Sequence, residues 1–232
     1  MDLLVDGFRQ AIELIVRGDP ELLRVMALSL VVSTIATTLA ALCGIPLGAA
    51  LAIGRFPGRR PLQILVNAGM GLPPVVVGLV VSIFLWRTGP FGALRLLFTP
   101  QAMVIAQFLV AVPIAAGLTR STLELVDRDI LHALRIDGAG EARVGRELVR
   151  VVAPQMLVVV AAAFGRAISE VGASLMVGGN LQGQTRILTT AITLETSKGD
   201  FARAIALGLV LLGLTLLVNV ALSWRERLLT TR

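Results

Sequence analysis

"VMALSLVVSTIATTLAALCGIPLGAALAIG", Val25 to Gly54, runs for thirty residues without a charge and is closed at each end by an arginine, Arg24 and Arg55. A helix needs about 20 apolar residues to cross a bilayer. In hydrocarbon every backbone N–H and C=O must be satisfied within its own segment, which favours a helix. A barrel strand would be about 10 residues of alternating character, and this run is too long and too uniformly apolar for that. The stretch reads as a membrane-spanning helix, and the rest of the chain repeats it. Residues 61–86 lie uncharged between Arg60 and Arg87, 96–119 between Arg95 and Arg120, and 204–224 between Arg203 and Arg225. Residues 151–184 carry only Arg166 and Glu170. The expectation is an all-α membrane protein, one domain over 1–232, with five spans at 20–54, 61–86, 99–119, 151–178 and 202–224.

Boundary residues support these limits. Asp19-Pro20 and Thr99-Pro100 each place a capping side chain before a proline at the first helical position. "RFPGRR", residues 55–60, reads as a tight turn.

Composition agrees. Of 232 residues, 56% are hydrophobic and 16% charged, with mean hydropathy +0.85; a water-soluble domain carries about 25% charged residues. The net charge is +6, but the basic residues are spread between apolar runs rather than gathered on one face, which excludes nucleic acid as a partner. The single Cys43 allows no intrachain disulfide. One His and no Tyr speak against a metal cage or His-based chemistry, and no Ser–Lys or paired-carboxylate constellation supports an intramembrane enzyme. Residues 1–20 hold Asp2, Asp6, Arg9, Glu13 and Arg17, and so contain no signal-peptide core.

Arginine placement sets the expected orientation. With "RFPGRR" in the cytoplasm, twelve basic residues lie inside and eight outside, leaving the N-terminus outside and the C-terminus cytoplasmic. Within 1–19, Leu4, Phe8, Ile12 and Ile15 share one helical face and Asp6, Arg9 and Glu13 lie off it, which predicts an interfacial amphipathic helix on the outer surface, the alternative being a disordered leader.

Small residues recur every fourth position, Ala40-Gly44-Gly48-Ala52 and Gly165-Ser169-Ala173, the pattern of closely packed membrane helices. Pro46, Pro73, Pro74 and Pro113 interrupt spans, Pro73-Pro74 most strongly. A broken helix at membrane depth lines protein or a wet cavity, so this break is either part of a transport path or plain bundle geometry. Arg166 and Glu170, four apart, can pair on one helix face. They are either a structural clamp or part of a path or gate.

Residues 120–150 hold six arginines and six acids, too mixed for a lipid-binding patch. Leu123, Val126, Ile130 and Leu134 keep helical spacing, "DGAG" at 137–140 forces a turn, and the helical pattern resumes at Glu141. This is a helix–turn–helix projecting from the membrane, either a solvated loop or a docking element.

Five or six spans with a helix–Gly–helix cytoplasmic loop before the penultimate one resemble the permease subunit of a binding-protein-dependent ABC importer. Gly138 stands for the signature glycine. The pattern departs at His132-Ala133-Leu134, where only Ala133 matches Glu-Ala-Ala, and at Pro154, about three residues late. "GLPPVVVGL" at 71–79 is similar to the molybdate/tungstate branch, and residues 164–196 resemble tungstate permeases in particular.

The resemblance implies a type I ABC importer permease fold in a bacterial cytoplasmic (inner) membrane. It implies a second copy of the chain, two ABC ATPase subunits, a periplasmic or lipoprotein substrate-binding protein, and tungstate or molybdate as cargo. The chain has no G-x-x-x-x-G-K-[ST] sequence, so ATP and Mg would reside on the partner ATPase, with no cofactor, metal or catalytic residue here. The ATPase-coupling loop would be Ala133, Leu134, Arg135, Asp137, Gly138, Ala139 and Gly140. The translocation path or gate would draw on Pro73, Pro74, Arg166, Ser169, Glu170, Gly178, Gly179 and Asn180. "VGGNLQGQT", residues 177–185, is a connecting loop, an outer gate or a contact for the delivering protein. A standalone ion-coupled carrier would show inverted halves, and no internal repeat is evident.

Overall fold

The computed structural model describes residues 2–138 and 140–230 and is all-helical, with no strand among the described residues. Eleven α-helices follow in chain order: α1 Asp2–Val16, α2 Pro20–Ile53, α3 Arg59–Met70, α4 Pro74–Leu85, α5 Pro100–Glu124, α6 Arg128–Ile136, α7 Glu141–Val151, α8 Ala153–Ile168, α9 Gly172–Gly178, α10 Leu188–Ser197 and α11 Phe201–Thr230.

Three of these, α2, α5 and α11, are each long and apolar enough to cross a membrane. Two bent pairs reach that length together: α3 with α4, turned by 107°, and α7 with α8, turned by 84°. The sequence expectation of a helix over 151–178 meets a break instead, because α8 ends at Ile168 and α9 begins at Gly172. Pro46 and Pro113 lie inside continuous α2 and α5, whereas Pro73-Pro74 coincides with a break and Pro154 stands in the first turn of α8, just after its bend from α7. Capping follows the sequence: Asp19 accepts from the Leu22 N–H at 2.8 Å and Thr99 from that of Ala102.

The centre of the bundle is α2 packed along α5. Ala40, Gly44 and Gly48 bring the two backbones together; a Cβ on Gly44 would lie 2.6 Å from the Ala115 Cβ, and one on Gly48 would lie 2.4 Å from the Ala116 carbonyl oxygen. The second row behaves differently. Gly165 has open space above it, Ser169 is exposed, and only Ala173 is buried.

Two cores flank this contact. One joins Ala49, Ala111, Ala115, Leu148 and Met156 at the end of the bundle carrying α6 and α7. The other joins Val32, Val81, Met103, Ala173 and Val177 toward the opposite end. The first helix, α1, lies against α11, with Ala11 buried and Gly7 so close that a Cβ would meet Ile205 at 2.5 Å. Leu4, Phe8, Ile12 and Ile15 face away from the bundle and are exposed.

Candidate functional site

The two internal breaks meet side by side. After Pro73-Pro74, α4 runs along α9: a Cβ on Gly172 would lie 2.4 Å from Val75 Cγ2, and one on Gly78 would lie 2.6 Å from the Ala173 Cα. Ser82 Oγ donates to the Met176 carbonyl at 3.2 Å. Glycine is required at 78, where a side chain would meet the α9 backbone and push the helices apart, while at 172 a Cβ would meet only the end of the Val75 side chain. The result is a paired body, α4 with α9, joined to α3 and α8 through short non-helical connections.

Glu170 closes the second connection. Its side chain is only 2% exposed. Oε1 accepts from the Ala173 N–H at 2.9 Å, satisfying one of the orphan donors at the start of α9. Oε2 lies 3.4 Å from Arg166 Nη1. The two residues thus pair across the end of α8 rather than along one uninterrupted helix. Thr189 Oγ1, from α10, donates to the Glu170 carbonyl at 3.0 Å, so the connection is also held by its main chain. Ser169 is exposed and donates to the Arg166 carbonyl.

Beneath this joint lies a buried polar chain linking three elements. Ser33 Oγ donates to Gln107 Oε1 at 3.1 Å, and Gln107 Nε2 donates to Ser174 Oγ at 3.2 Å. Gln107 is fully buried, and Ser29, one turn before Ser33, accepts from the Leu188 N–H at 2.8 Å. Sequence reasoning did not single out these residues or α10. The available signal was Gln107 itself, an amide in the middle of an apolar run, which needs partners when buried.

Gly178, Gly179 and Asn180 sit at the far end of α9. Gly179 (φ 69°) and Asn180 (φ 52°) are left-handed, and a Cβ on Gly179 would meet the Phe98 ring at 2.8 Å. Asn180 Nδ2 donates to the Thr190 carbonyl at 3.2 Å, tying the loop to α10. Seven-residue α9 separates these residues from Glu170 by about 10 Å. The gate candidates therefore divide into a joint, with Pro73, Pro74, Arg166, Ser169 and Glu170, and a loop.

The elbow lies at the opposite end of the bundle. Asp127 accepts from the Asp129 N–H at 3.0 Å and starts α6. Gly138 ends the turn at φ 75°, with nothing within 4 Å of where a Cβ would stand. Ala133, Asp137, Gly138 and Gly140 are exposed, and Leu134 and Arg135 half-buried; Ala139 lies outside the described residues. Ile130 and Ile136 are also exposed. By contrast α7 is anchored, with Val144 and Leu148 buried against the core that includes Ala49. Arg135 links the parts: it donates to the Ile53 carbonyl at 3.4 Å and lies 3.0 Å from Glu141. Arg135 thereby ties the end of α6 to the end of α2.

A bundle of long apolar helices, with two broken segments packed against each other and an exposed helical elbow at one end, defines a multi-pass membrane transport subunit. The chain belongs to the family described as binding-protein-dependent transport system inner membrane component, whose pattern matches residues 44–231. It is 42% identical to the tungstate uptake system permease protein TupB of Peptoclostridium acidaminophilum, over 96% of this chain and 97% of that protein. It is 34% identical to the TupB protein of Campylobacter jejuni, over 94% and 92% of the two chains. Its fold matches a chain in the crystal structure of a bacterial alginate ABC transporter in complex with an alginate pentasaccharide-bound periplasmic protein. The TM-score is 0.70 at 18% identity, covering 90% of this chain and 79% of that one.

Proposed function

We propose that this chain is the transmembrane subunit of a type I ABC importer for tungstate, forming the translocation pathway as a pair of copies. The observation that carries the reading is the elbow: an exposed apolar-faced helix ending at left-handed Gly138 and tied through Arg135 to the end of α2. Two ATPase subunits with ATP and Mg take α6 in a groove on the cytoplasmic side. A periplasmic or lipoprotein binding protein delivers cargo at the other face. The N-terminus is then outside and the C-terminus cytoplasmic. The bundle has five spans, and α1 lies in the outer interface with Leu4, Phe8, Ile12 and Ile15 toward lipid.

Nucleotide-driven movement of the elbow reaches α2 and, through the Ser33–Gln107–Ser174 chain, the α4–α9 body. Pro73-Pro74 and the Ser169–Glu170 connection are its hinges. Arg166 and Glu170 neutralise one another, so the joint offers a dianion no tight site, as a conduit requires. Molybdate, with the same shape and charge, is the alternative cargo.

The test is uptake of labelled oxyanions by vesicles containing the assembled complex. Accumulation of tungstate that needs ATP, the ATPase and the binding protein is expected. Accumulation by this chain alone on an ion gradient, as a standalone carrier would give, overturns the reading.

A further inference from the structure

At the elbow end of the bundle an open groove runs between the last turns of α2 and the side of α7. Its volume is about 660 Å³. The floor is apolar, with Ile45, Pro46, Ala50 and Ile53 of α2 facing Ala142 and Val149 of α7. Pro46 and Ala50 are exposed. Gly145 leaves the groove its width, since a Cβ there would stand 3.3 Å from Ile53 Cδ1.

A charged rim closes one end: Arg55 and Phe56, in the turn after α2, with Glu141 and Arg146 of α7. Among the described residues Arg55 has no acid within ion-pair distance. Arg146 reaches only Glu147, at 3.9 Å, and Glu147 is held more closely by Arg150 at 2.7 Å. Glu141 is engaged by Arg135 at 3.0 Å. Residues 120–150 are mixed in charge, but these two acids are taken up by other arginines of the elbow, and Arg55 joins the rim from a different connection. The charge left at the rim is positive.

The dimensions suit a lipid. Ile45 to Ile53 covers about 12 Å of α2 at the helical rise. The hydrocarbon of one leaflet is about 15 Å deep, half of the full core. With α8 crossing the membrane, α7, turned 84° from it, lies near the bilayer surface. The groove therefore presents apolar walls at acyl-chain depth and free guanidinium groups at headgroup level. Basic pockets between spans take anionic headgroups in this way. A zwitterionic lipid would fill the same floor but gain less at the rim.

We propose that this groove holds one anionic diacyl phospholipid, with an acyl chain laid along α2 and α7 and the headgroup phosphate against Arg55 and Arg146. The site goes beyond the import reading and holds whichever oxyanion is carried.

The test is native mass spectrometry of the importer assembled with its ATPase, delipidated in detergent and titrated with equal amounts of phosphatidylglycerol and phosphatidylcholine. Wild type is expected to retain phosphatidylglycerol in preference, at one site per copy of this chain. Arg55→Gln and Arg146→Gln should each lower that preference about fivefold, and the double variant roughly 30-fold. Ala50→Trp fills the floor without altering charge and should lower retention of both lipids at the site. Arg60→Gln, exposed at the start of α3 but outside the groove, should change nothing. Copurification of the ATPase shows that each variant is folded. Equal retention of the two lipids by wild type, as when the ATPase or the second copy covers the groove, overturns the site. So does a loss in Arg60→Gln as large as that in the double variant. Oxyanion uptake by the complete importer is measured alongside. Uptake without lipid preference removes the lipid site and keeps the import reading; lipid preference without uptake of any oxyanion by wild type does the reverse.

Discussion

Replacing Glu170 by alanine opens the joint between α8 and α9, and the structure sets the size of the loss. Two groups are stranded. The Ala173 N–H loses its acceptor at 2.9 Å inside the protein, and a buried orphan donor costs about 1–3 kcal/mol. Arg166 loses its counter-charge. Breaking a fully buried pair costs about 3–5 kcal/mol. The Arg166 side chain keeps 30% exposure, which lowers that share to about 1–2 kcal/mol. Glu170→Ala is therefore expected to destabilise by about 2–5 kcal/mol in total.

Removing Arg166 as well relieves the second part but not the first. The double variant Arg166→Ala/Glu170→Ala should be destabilised by about 1–3 kcal/mol, less than the single one. Glu170→Gln keeps an oxygen for the Ala173 N–H but not the counter-charge for Arg166, and should lose about 1–2 kcal/mol. The assay is denaturant unfolding of the purified complex, with ATP-driven uptake measured on the same preparations. Strictly additive losses for Arg166→Ala and Glu170→Ala, with the double variant the least stable, would refute the coupling.

Gly138→Asp leaves the chain inserted, since Gly138 has open space around it, and is expected to abolish substrate-stimulated ATPase activity; normal stimulation would remove the elbow from the coupling path. Gly78→Leu drives a side chain into the Ala173 backbone, 2.6 Å from the new Cβ. It is expected to cost several-fold in folded yield, whereas Gly165→Ala, above open space, should leave yield unchanged in detergent. Gln107→Leu strips both Ser33 and Ser174 of their partner and should cost about 1–3 kcal/mol; an unfolding midpoint equal to wild type would show that the buried chain contributes nothing.

The elements that rest on local composition were legible from the residues. Long uncharged runs must be helical in hydrocarbon, Asp19 and Thr99 cap where their sequence places them, and Pro73-Pro74 breaks a helix because neither nitrogen can donate. Gly138 reads as a turn because "DGAG" cannot continue a helix, and it stands at φ 75°. The Arg166–Glu170 contact follows from spacing alone, since four residues bring the two charges to 3.4 Å even across the end of α8.

Other features depend on residues far apart in the chain. Pro46 and Pro113 look like Pro73 in sequence, yet both lie inside continuous helices; Pro113 is packed against Gly69, where a Cβ would lie 2.8 Å from its ring, whereas Pro46 is exposed. α10 has no long apolar run to announce it; its start is held by the Ser29 hydroxyl and by Thr189 reaching the Glu170 carbonyl.

The sequence by itself determined that the chain is a helical membrane bundle with an exposed elbow, because hydropathy, capping and turn chemistry act within a few residues. Only the tertiary structure decided that the breaks after Met70 and Ile168 lie side by side, that Glu170 caps α9, and that Ser33, Gln107 and Ser174 form one chain. Those outcomes turn on which glycine faces which backbone and which buried polar atom finds a partner. That pairing is settled by close packing between distant segments.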